Sequence, residues 1–185
     1  MMEASQQIAL EESGLAAKEE AEARFAALVQ RQARFVFRIA YAILRNTHDS
    51  EDVAQDTFLK IYRSGAWERM KDEKAFLART AWRLAIDKLP RSTAAAPDVE
   101  QPSSFVNPED AAIGKDWSAT VHRLVDALPE ELRQPMALST VDELSSREIS
   151  ALMGIPEGTV RTRLMRGRQI LKQKMAALME GRYEK

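Results

Sequence analysis

Apolar residues recur every three or four positions over much of the chain, which is the spacing of one face of an α-helix. Only Gln32 interrupts the first series, whose apolar members are Phe25, Leu28, Val29, Phe35, Val36, Ile39 and Ile43. This series predicts a helix that ends near Arg45, and the same spacing predicts two more helices over about 50–62 and 74–89. Pro90 ends the third helix, because proline lacks the N–H that a helix interior needs.

Helical spacing is absent from residues 91–112, where three prolines stand among serines and other small residues. Such a composition is typical of an extended, poorly packed linker. Beyond it, four further helices are predicted over about 113–128, 130–141, 147–153 and 157–178. No stretch alternates between apolar and polar residues as a strand would, so the prediction is an all-α protein of two small helical bundles joined by a flexible linker.

The same pattern divides the chain into four parts. Residues 1–21 form an acidic leader without a sustained apolar face, predicted to be loose except toward its end. Residues 22–91 form the first bundle, residues 92–112 the linker, and residues 113–185 the second bundle.

The charge is distributed unevenly although the net charge of the 185 residues is only −1. Residues 49–56 contain four acids and no base, whereas residues 157–175 contain six basic residues and one acid. Opposed patches of this kind favour more than one binding partner. The absence of cysteine excludes disulfides and thiol catalysis. The acidic N-terminus is unlike a signal peptide and no apolar run is long enough for a bilayer, so the protein is expected in the cytoplasm.

Residues 145–157 have the features of the turn in a helix-turn-helix. Ser145 and Glu148 fit a capping box at a helix start. Gly154 suits the left-handed position that closes this helix, and Pro156 suits the first turn of the next one, where Glu157 is also favoured. The segment therefore predicts two short helices joined by a tight turn.

A helical projection of the second of these helices separates its residues into two faces. The residues predicted to face the core are Val160, Leu164, Gly167 and Leu171. The residues predicted to face outward are Arg161, Thr162, Met165, Arg166 and Gln169, with Arg163 and Arg168 on the flanks. A solvated helix with extra arginines would explain the charge alone, but the capped helix and the glycine turn favour a DNA-recognition helix.

At these residues the chain resembles region 4 of the extracytoplasmic-function (ECF) sigma factors, bacterial subunits that direct RNA polymerase to promoters. The resemblance lies in LSSREISALMGIPEGTVRTRLMRGRQIL and in the preceding LVDALPEELRQPMALSTVDEL. It implies that the helix-turn-helix reads the −35 element in the major groove. Bases would then be read by Arg161, Thr162, Met165 and Arg166, and phosphates would be held by Arg163 and Arg168.

The first bundle carries a second resemblance, because THDSEDVAQDTFLKIYRSG is similar to region 2 of the same family. Asp49 is predicted to cap this helix, with Val53, Thr57 and Ile61 on its inner face. The outer face would carry Asp52, Gln55, Asp56 and Leu59. An outward leucine among carboxylates suits a basic protein surface, although an acidic solvated helix is the alternative. The resemblance implies that this face binds the clamp helices of the polymerase β′ subunit.

The third predicted helix, KAFLARTAWRLAIDKLPR, resembles the part of region 2 that melts and reads the −10 element. The resemblance implies DNA contacts by Arg79, Trp82 and Arg83, and it implies that the loop over 66–73 holds a flipped −10 base. Trp67 and Trp82 could equally be core residues, because large aromatic side chains are usually buried. The chain departs from the family in having Trp82-Arg83 where an Arg-Asn pair is usual, and in having Pro90 where the basic helix usually continues.

The resemblance thus predicts an ECF-type sigma factor that binds core RNA polymerase and promoter DNA and that an anti-sigma factor would inhibit. No enzymatic activity, catalytic residue, metal or cofactor is expected, because Asp52 and Asp56 share one helix face without a third ligand or an enclosing cleft. Two alternatives remain at this stage. One is a stand-alone helix-turn-helix regulator, and the other is a sigma mimic that sequesters an anti-sigma factor.

Overall fold

The computed structural model describes residues 2–89, 120, 123–141 and 144–183, with side chains described for residues 14–179 within these ranges. The described residues are helical, with no strand among them. The helices are α1 (Met2–Leu44), α2 (Thr47–Arg63), a short 3-10 helix (Ala66–Arg69), α3 (Glu73–Lys88), α4 (Glu130–Ser139), α5 (Ser146–Met153) and α6 (Glu157–Tyr183). The all-α prediction is confirmed, whereas the predicted linker lies outside the described residues, as does most of the helix predicted over 113–128.

The leader differs from its prediction as a loose segment, because α1 begins at Met2 and continues without a break to Leu44. Alanine and glutamate are frequent in residues 16–23, and both have high helix propensity. Side chains 14–20 are exposed, so this part of α1 extends as a helix without packing on the bundle. Helix propensity rather than an apolar face therefore accounts for its structure.

Helices α1, α2 and α3 pack together into the first bundle. Ile39, Ile61 and Leu77 are among its fully buried side chains. Gln32, the polar break in the first apolar series, is also buried, and its Nε2 donates a hydrogen bond to Oε1 of Glu73 at 2.6 Å. The polar break thus has a structural reason, because it joins α1 to the first turn of α3.

The start of α2 corrects one prediction. Asn46, not Asp49, is the N-cap residue, and its side-chain oxygen accepts a hydrogen bond from the N–H of Asp49 at 2.8 Å. Asp49 lies in the first turn instead, where a negative charge is still favoured by the helix dipole.

Helices α4, α5 and α6 form the second bundle around the buried side chains of Leu138, Ile149 and Val160. Gly167 of α6 lies directly against α4. A Cβ atom at this position would stand 2.6 Å from Cγ and 2.9 Å from Sδ of Met136, closer than packed atoms approach. The predicted inward position of Gly167 is therefore confirmed, and the missing side chain permits a close approach of α4 and α6.

The two bundles also contact each other, which the sequence did not indicate. Helix α1 packs against α4, and α3 packs against α5. The guanidinium of Arg38 donates a hydrogen bond to the carbonyl oxygen of Thr140, and Arg45 forms an ion pair with Asp126. Arg45 also lies over the ring of Tyr41, 4.9 Å from its centroid. One continuous apolar cluster therefore runs through both bundles.

Candidate polymerase- and promoter-binding surfaces

The helix-turn-helix consists of α5 and α6, and its local structure follows the predicted signals. The Ser145 N–H donates to Oε2 of Glu148 at 2.8 Å, and the Glu148 N–H donates to Oγ of Ser145 at 3.3 Å. These hydrogen bonds form the capping box, and the Ser145 hydroxyl holds the pKa of Glu148 below its usual value. Gly154 has a φ of 66°, the left-handed conformation that ends α5.

Helix α6 begins at Glu157, one residue after Pro156, whose carbonyl accepts hydrogen bonds from Thr159 and Val160. The inward stripe is confirmed for Val160, Leu164 and Gly167, which are buried, while Leu171 is half-buried. The turn between α5 and α6 is therefore fixed by capping on one side and by core packing on the other.

The predicted outward face of α6 is exposed to solvent. Its members are all exposed: Arg161, Thr162, Met165, Arg166 and Gln169. Of the two flanking arginines, Arg168 is exposed and Arg163 is half-buried. Met165 is 60% exposed, which is unusual for so apolar a side chain and shows that the α6 face is not covered within the described residues. The Arg161 guanidinium donates to Oε1 of Glu157 one turn earlier, at 2.5 Å.

A shallow cleft lies beside this face, between α4 and the first turns of α6. Its lining residues are Glu131, Gly158, Thr159, Thr162, Arg163 and Arg166. The sequence did not indicate Glu131, because only the packing of α4 on α6 brings this carboxylate next to the arginines. Glu131 therefore places one carboxylate in a cleft that also contains Arg163 and Arg166.

The outer face of α2 is the acidic counterpart of the α6 face. Gln55 and Asp56 are exposed, Leu59 is 47% exposed, and the Asp52 side chain is 44% exposed. The inner positions Val53, Thr57 and Ile61 are buried as predicted. An exposed leucine thus lies among carboxylates, which is the arrangement that suits docking onto a basic, partly apolar surface.

Lys88 is part of this acidic surface, although the sequence did not indicate it. Its Nζ lies 3.0 Å from Oδ1 of Asp49 and 2.9 Å from Oδ2 of Asp52. The hydrogen bond from Lys88 lowers the pKa of Asp52. Burial opposes the charge of Lys88, but its hydrogen bonds to Asp52 and Asp49 raise its pKa above the usual value.

The three residues of the predicted −10 surface lie on α3 but are not equally exposed. Arg79 and Arg83 are exposed, whereas Trp82 is half-buried and packs against the apolar cores of the first bundle. Trp82 therefore packs partly on the core, which is the alternative that the sequence left open for this tryptophan. Trp67 is also half-buried, and its ring forms an edge-to-face pair with that of Phe25 at a centroid distance of 5.3 Å.

A second shallow pocket follows the 3-10 helix, in the loop predicted over 66–73. Its lining residues are Ala66, Arg69, Met70, Lys71, Asp72, Phe76 and Arg79. The pocket combines three basic residues with an aromatic ring, a combination that suits an unstacked base and its phosphate. The sequence did not indicate Phe76, because its helical position is intermediate between the inner and outer faces of α3.

The residues that the structure describes contain neither a metal-binding cluster nor a membrane-spanning helix. No three of their His, Asp and Glu side chains converge as they would around a metal ion. None of the described helices is both long and apolar enough to cross a membrane.

Comparison with known proteins gives two family matches that follow the two bundles. Residues 28–94 match the model of Sigma-70 region 2, and residues 118–171 match that of Sigma-70, region 4. The ECF RNA polymerase sigma factor SigE of Mycolicibacterium smegmatis is 35% identical over 159 residues, which are 80% of this chain and 60% of SigE. The chain therefore spans less than two thirds of that relative.

Two further similarities cover more of the other protein. The ECF RNA polymerase sigma factor SigW of Bacillus subtilis is 30% identical over 157 residues, covering 77% of this chain and 84% of SigW. The solved structure of CnrH in complex with the cytosolic domain of CnrY has a TM-score of 0.56 at 21% identity, covering 84% of this chain and 90% of that chain. The latter is evidence for the fold alone. With both region models matched, the chain belongs to the ECF sigma factors, a family of non-enzymatic subunits that direct RNA polymerase to promoters.

Proposed function

We propose that the exposed face of α2 binds core RNA polymerase while α6 and α3 bind the promoter. The observation that carries the proposal is the presence of two exposed faces of opposite charge on one chain. The acidic face would bind protein, and the basic face of a helix-turn-helix would bind DNA. Residues 22–91 would act as sigma region 2 and residues 113–185 as region 4, with 92–112 as the linker that lets them reach separated promoter elements.

Docking on the polymerase would use the outer residues of α2. Leu59 would enter an apolar pocket of the β′ clamp helices, and Asp52, Gln55 and Asp56 would meet basic and polar groups around it. Burying one leucine supplies apolar free energy, and the surrounding charges supply orientation and rate of encounter. The exposure of Leu59 among exposed polar neighbours supports this assignment.

The −35 element would be read by α6. Arg161, Thr162, Met165 and Arg166 would reach base edges in the major groove, and Arg163 and Arg168 would hold phosphates on its two sides. The exposure of Met165 supports contact with a thymine methyl group, because an apolar side chain gains from such a contact. Glu157 would hold the Arg161 guanidinium through their hydrogen bond before DNA binds.

The −10 element would lie along α3. Arg79 and Arg83 would contact its backbone, and the pocket beside Phe76 would take an unstacked base. Trp82 would contribute only in part, because its half-buried side chain also packs on the core.

An anti-sigma factor would hold the chain inactive by covering these faces, and the site of action would be the cytoplasm, where core polymerase is found. Two other functions are weaker. A stand-alone helix-turn-helix regulator has no use for the acidic face of α2, and a sigma mimic has no use for the outward arginines of α6.

The experiment is a pair of binding assays on the purified protein. A gel shift with promoter duplex, in the absence and presence of core polymerase, should show specific binding only with polymerase. A pull-down should show core polymerase retained by the wild type. Tight binding of a palindromic duplex without polymerase would favour the stand-alone regulator, and retention of polymerase with no DNA binding would favour the mimic.

A further inference from the structure

Lys88 occupies the place where the acidic face of α2 meets the last turn of α3. Its ammonium lies between two carboxylates, 3.0 Å from Asp49 and 2.9 Å from Asp52. The Lys88 side chain is 34% exposed, and those of Asp49 and Asp52 are 43% and 44% exposed. The ion pairs are thus accessible from solvent and lie on the surface that a partner would approach.

Two helix ends bring these charged groups together, the start of α2 and the end of α3. Asp49 lies in the first turn of α2 and Lys88 in the last turn of α3, so each charge also complements the dipole of its own helix. Helix α3 ends at Lys88, where the Leu89 N–H donates to the carbonyls of Ala85 and Ile86. Lys88 is therefore held beside the acids by the end of α3.

We infer that Lys88 is an internal competitor for the polymerase-binding face, a residue that sets how strongly this chain docks. The inference rests on the proposed function of α2. A basic group of the polymerase that approaches Asp52 would have to displace the Lys88 ammonium before it could bind the carboxylate. The two ion pairs therefore lower the affinity for a basic partner and favour a partner that offers more than one cation.

The size of the effect follows from the exposure of the pairs. Exposed ion pairs contribute little, so the loss of Lys88 is expected to tighten docking by about two- to fivefold. The gain in affinity should shrink in high salt, because at molar salt concentrations the interactions of exposed charges are screened over a distance of about 3 Å.

The test compares Lys88→Met with Lys60→Met in binding assays with intact core polymerase. Lys60 is an exposed cation on α2, one turn beyond Asp56, so its removal changes the net charge near the surface equally. Lys88→Met should bind more tightly than wild type and more tightly than Lys60→Met. An equal change in polymerase affinity in both variants would mean that only the net charge matters. Weaker binding by a folded Lys88→Met protein would mean that Lys88 supports the structure of the binding face. Either result overturns the inference.

A second arm uses Asp52→Asn in both backgrounds, with thermal melting to establish that each variant is folded. The substitution should weaken docking more in the Lys88→Met protein than in the wild type, because Lys88 no longer masks the carboxylate. An equal loss in both backgrounds would contradict the competition. If wild type fails to bind core polymerase at all, the proposed function fails and the inference with it. If wild type binds and these comparisons fail, the inference alone is wrong.

Discussion

The outward faces of α2 and α6 carry opposite charges. Each face also contains ion pairs within the chain, and the two faces differ in how far apart the paired residues lie in the sequence. On α6, Glu157 and Arg161 are one turn apart on the same helix. On α2, the counter-ion of Asp49 and Asp52 is Lys88, 36 positions beyond Asp52 on another helix. The first pair follows from local spacing alone, whereas the second exists only once α2 and α3 have packed. The ion pair on the α6 face is therefore organised locally, whereas the ion pairs on the α2 face depend on tertiary structure.

The largest expected effect comes from disturbing the packing beneath the α6 face. Gly167→Val places side-chain atoms where Met136 already lies, and overpacking of this kind costs roughly 1–3 kcal/mol of unfolding free energy. The matched control is Gly158→Ala, where an added Cβ meets nothing within 4 Å. Thermal and denaturant unfolding should show a loss for Gly167→Val only. Similar stability for both variants would mean that α4 and α6 pack less closely than described.

The second expected effect separates base reading from phosphate binding on the α6 face. Arg166→Ala should cost about 1–3 kcal/mol at one position of the −35 element, the size of a lost bidentate contact with a base. The measurement is holoenzyme affinity for a series of single-base promoter variants. A uniform loss across the whole series would assign Arg166 to a phosphate instead.

A third substitution tests the α2 face in the same way. Leu59→Ala combined with Asp56→Ala removes an exposed apolar side chain and one carboxylate, and it should weaken polymerase binding by about 1–2 kcal/mol, chiefly through the lost leucine burial. Because both residues are exposed, the unfolding free energy should change little. Quantitative pull-down with core polymerase measures the first effect and thermal melting the second. Unchanged polymerase affinity would remove this face from the docking surface.

The smallest effect is a pKa change at Asp52. In the folded protein its pKa is below the ordinary 3.8 because of the Lys88 hydrogen bond, so this pair stabilises the fold above that pH and the stabilisation is lost as the pH falls below it. Lys88→Met should raise the pKa of Asp52 toward 3.8, as followed by NMR of the carboxyl carbon. Glu148 is the internal control, since its pKa is lowered by Ser145 and should not move. An unchanged Asp52 would show that the ion pair does not form in solution.

The fold and much of the candidate site follow from the sequence where the signals are local. The capping box of Ser145 and Glu148, the left-handed Gly154 and the two faces of α6 all depend on residues a few positions apart. Because these signals are local, they can be recognised in the sequence, and the structure confirms each of them. The match to both sigma regions confirms the family in the same way, since each motif is continuous in the chain.

What the sequence did not provide comes from contacts between distant residues. Lys88 and Glu131 join their surfaces only through helix packing, and the ion pair of Arg45 with Asp126 joins the two bundles. Two errors have local causes. Asn46 rather than Asp49 is the N-cap of α2, and the two were confused because asparagine and aspartate side chains can both accept the capping hydrogen bond. The leader proved helical because propensity acts without an apolar face.

On the proposed function, this chain selects promoters for RNA polymerase through two faces at once. Run-off transcription with core polymerase and a randomised promoter library tests it most directly. We expect transcripts that depend on the added protein and whose templates share two separated motifs. We also expect that Arg166→Ala alters the upstream motif alone. Transcription that is independent of the protein, or templates that share a single palindromic motif, would contradict it.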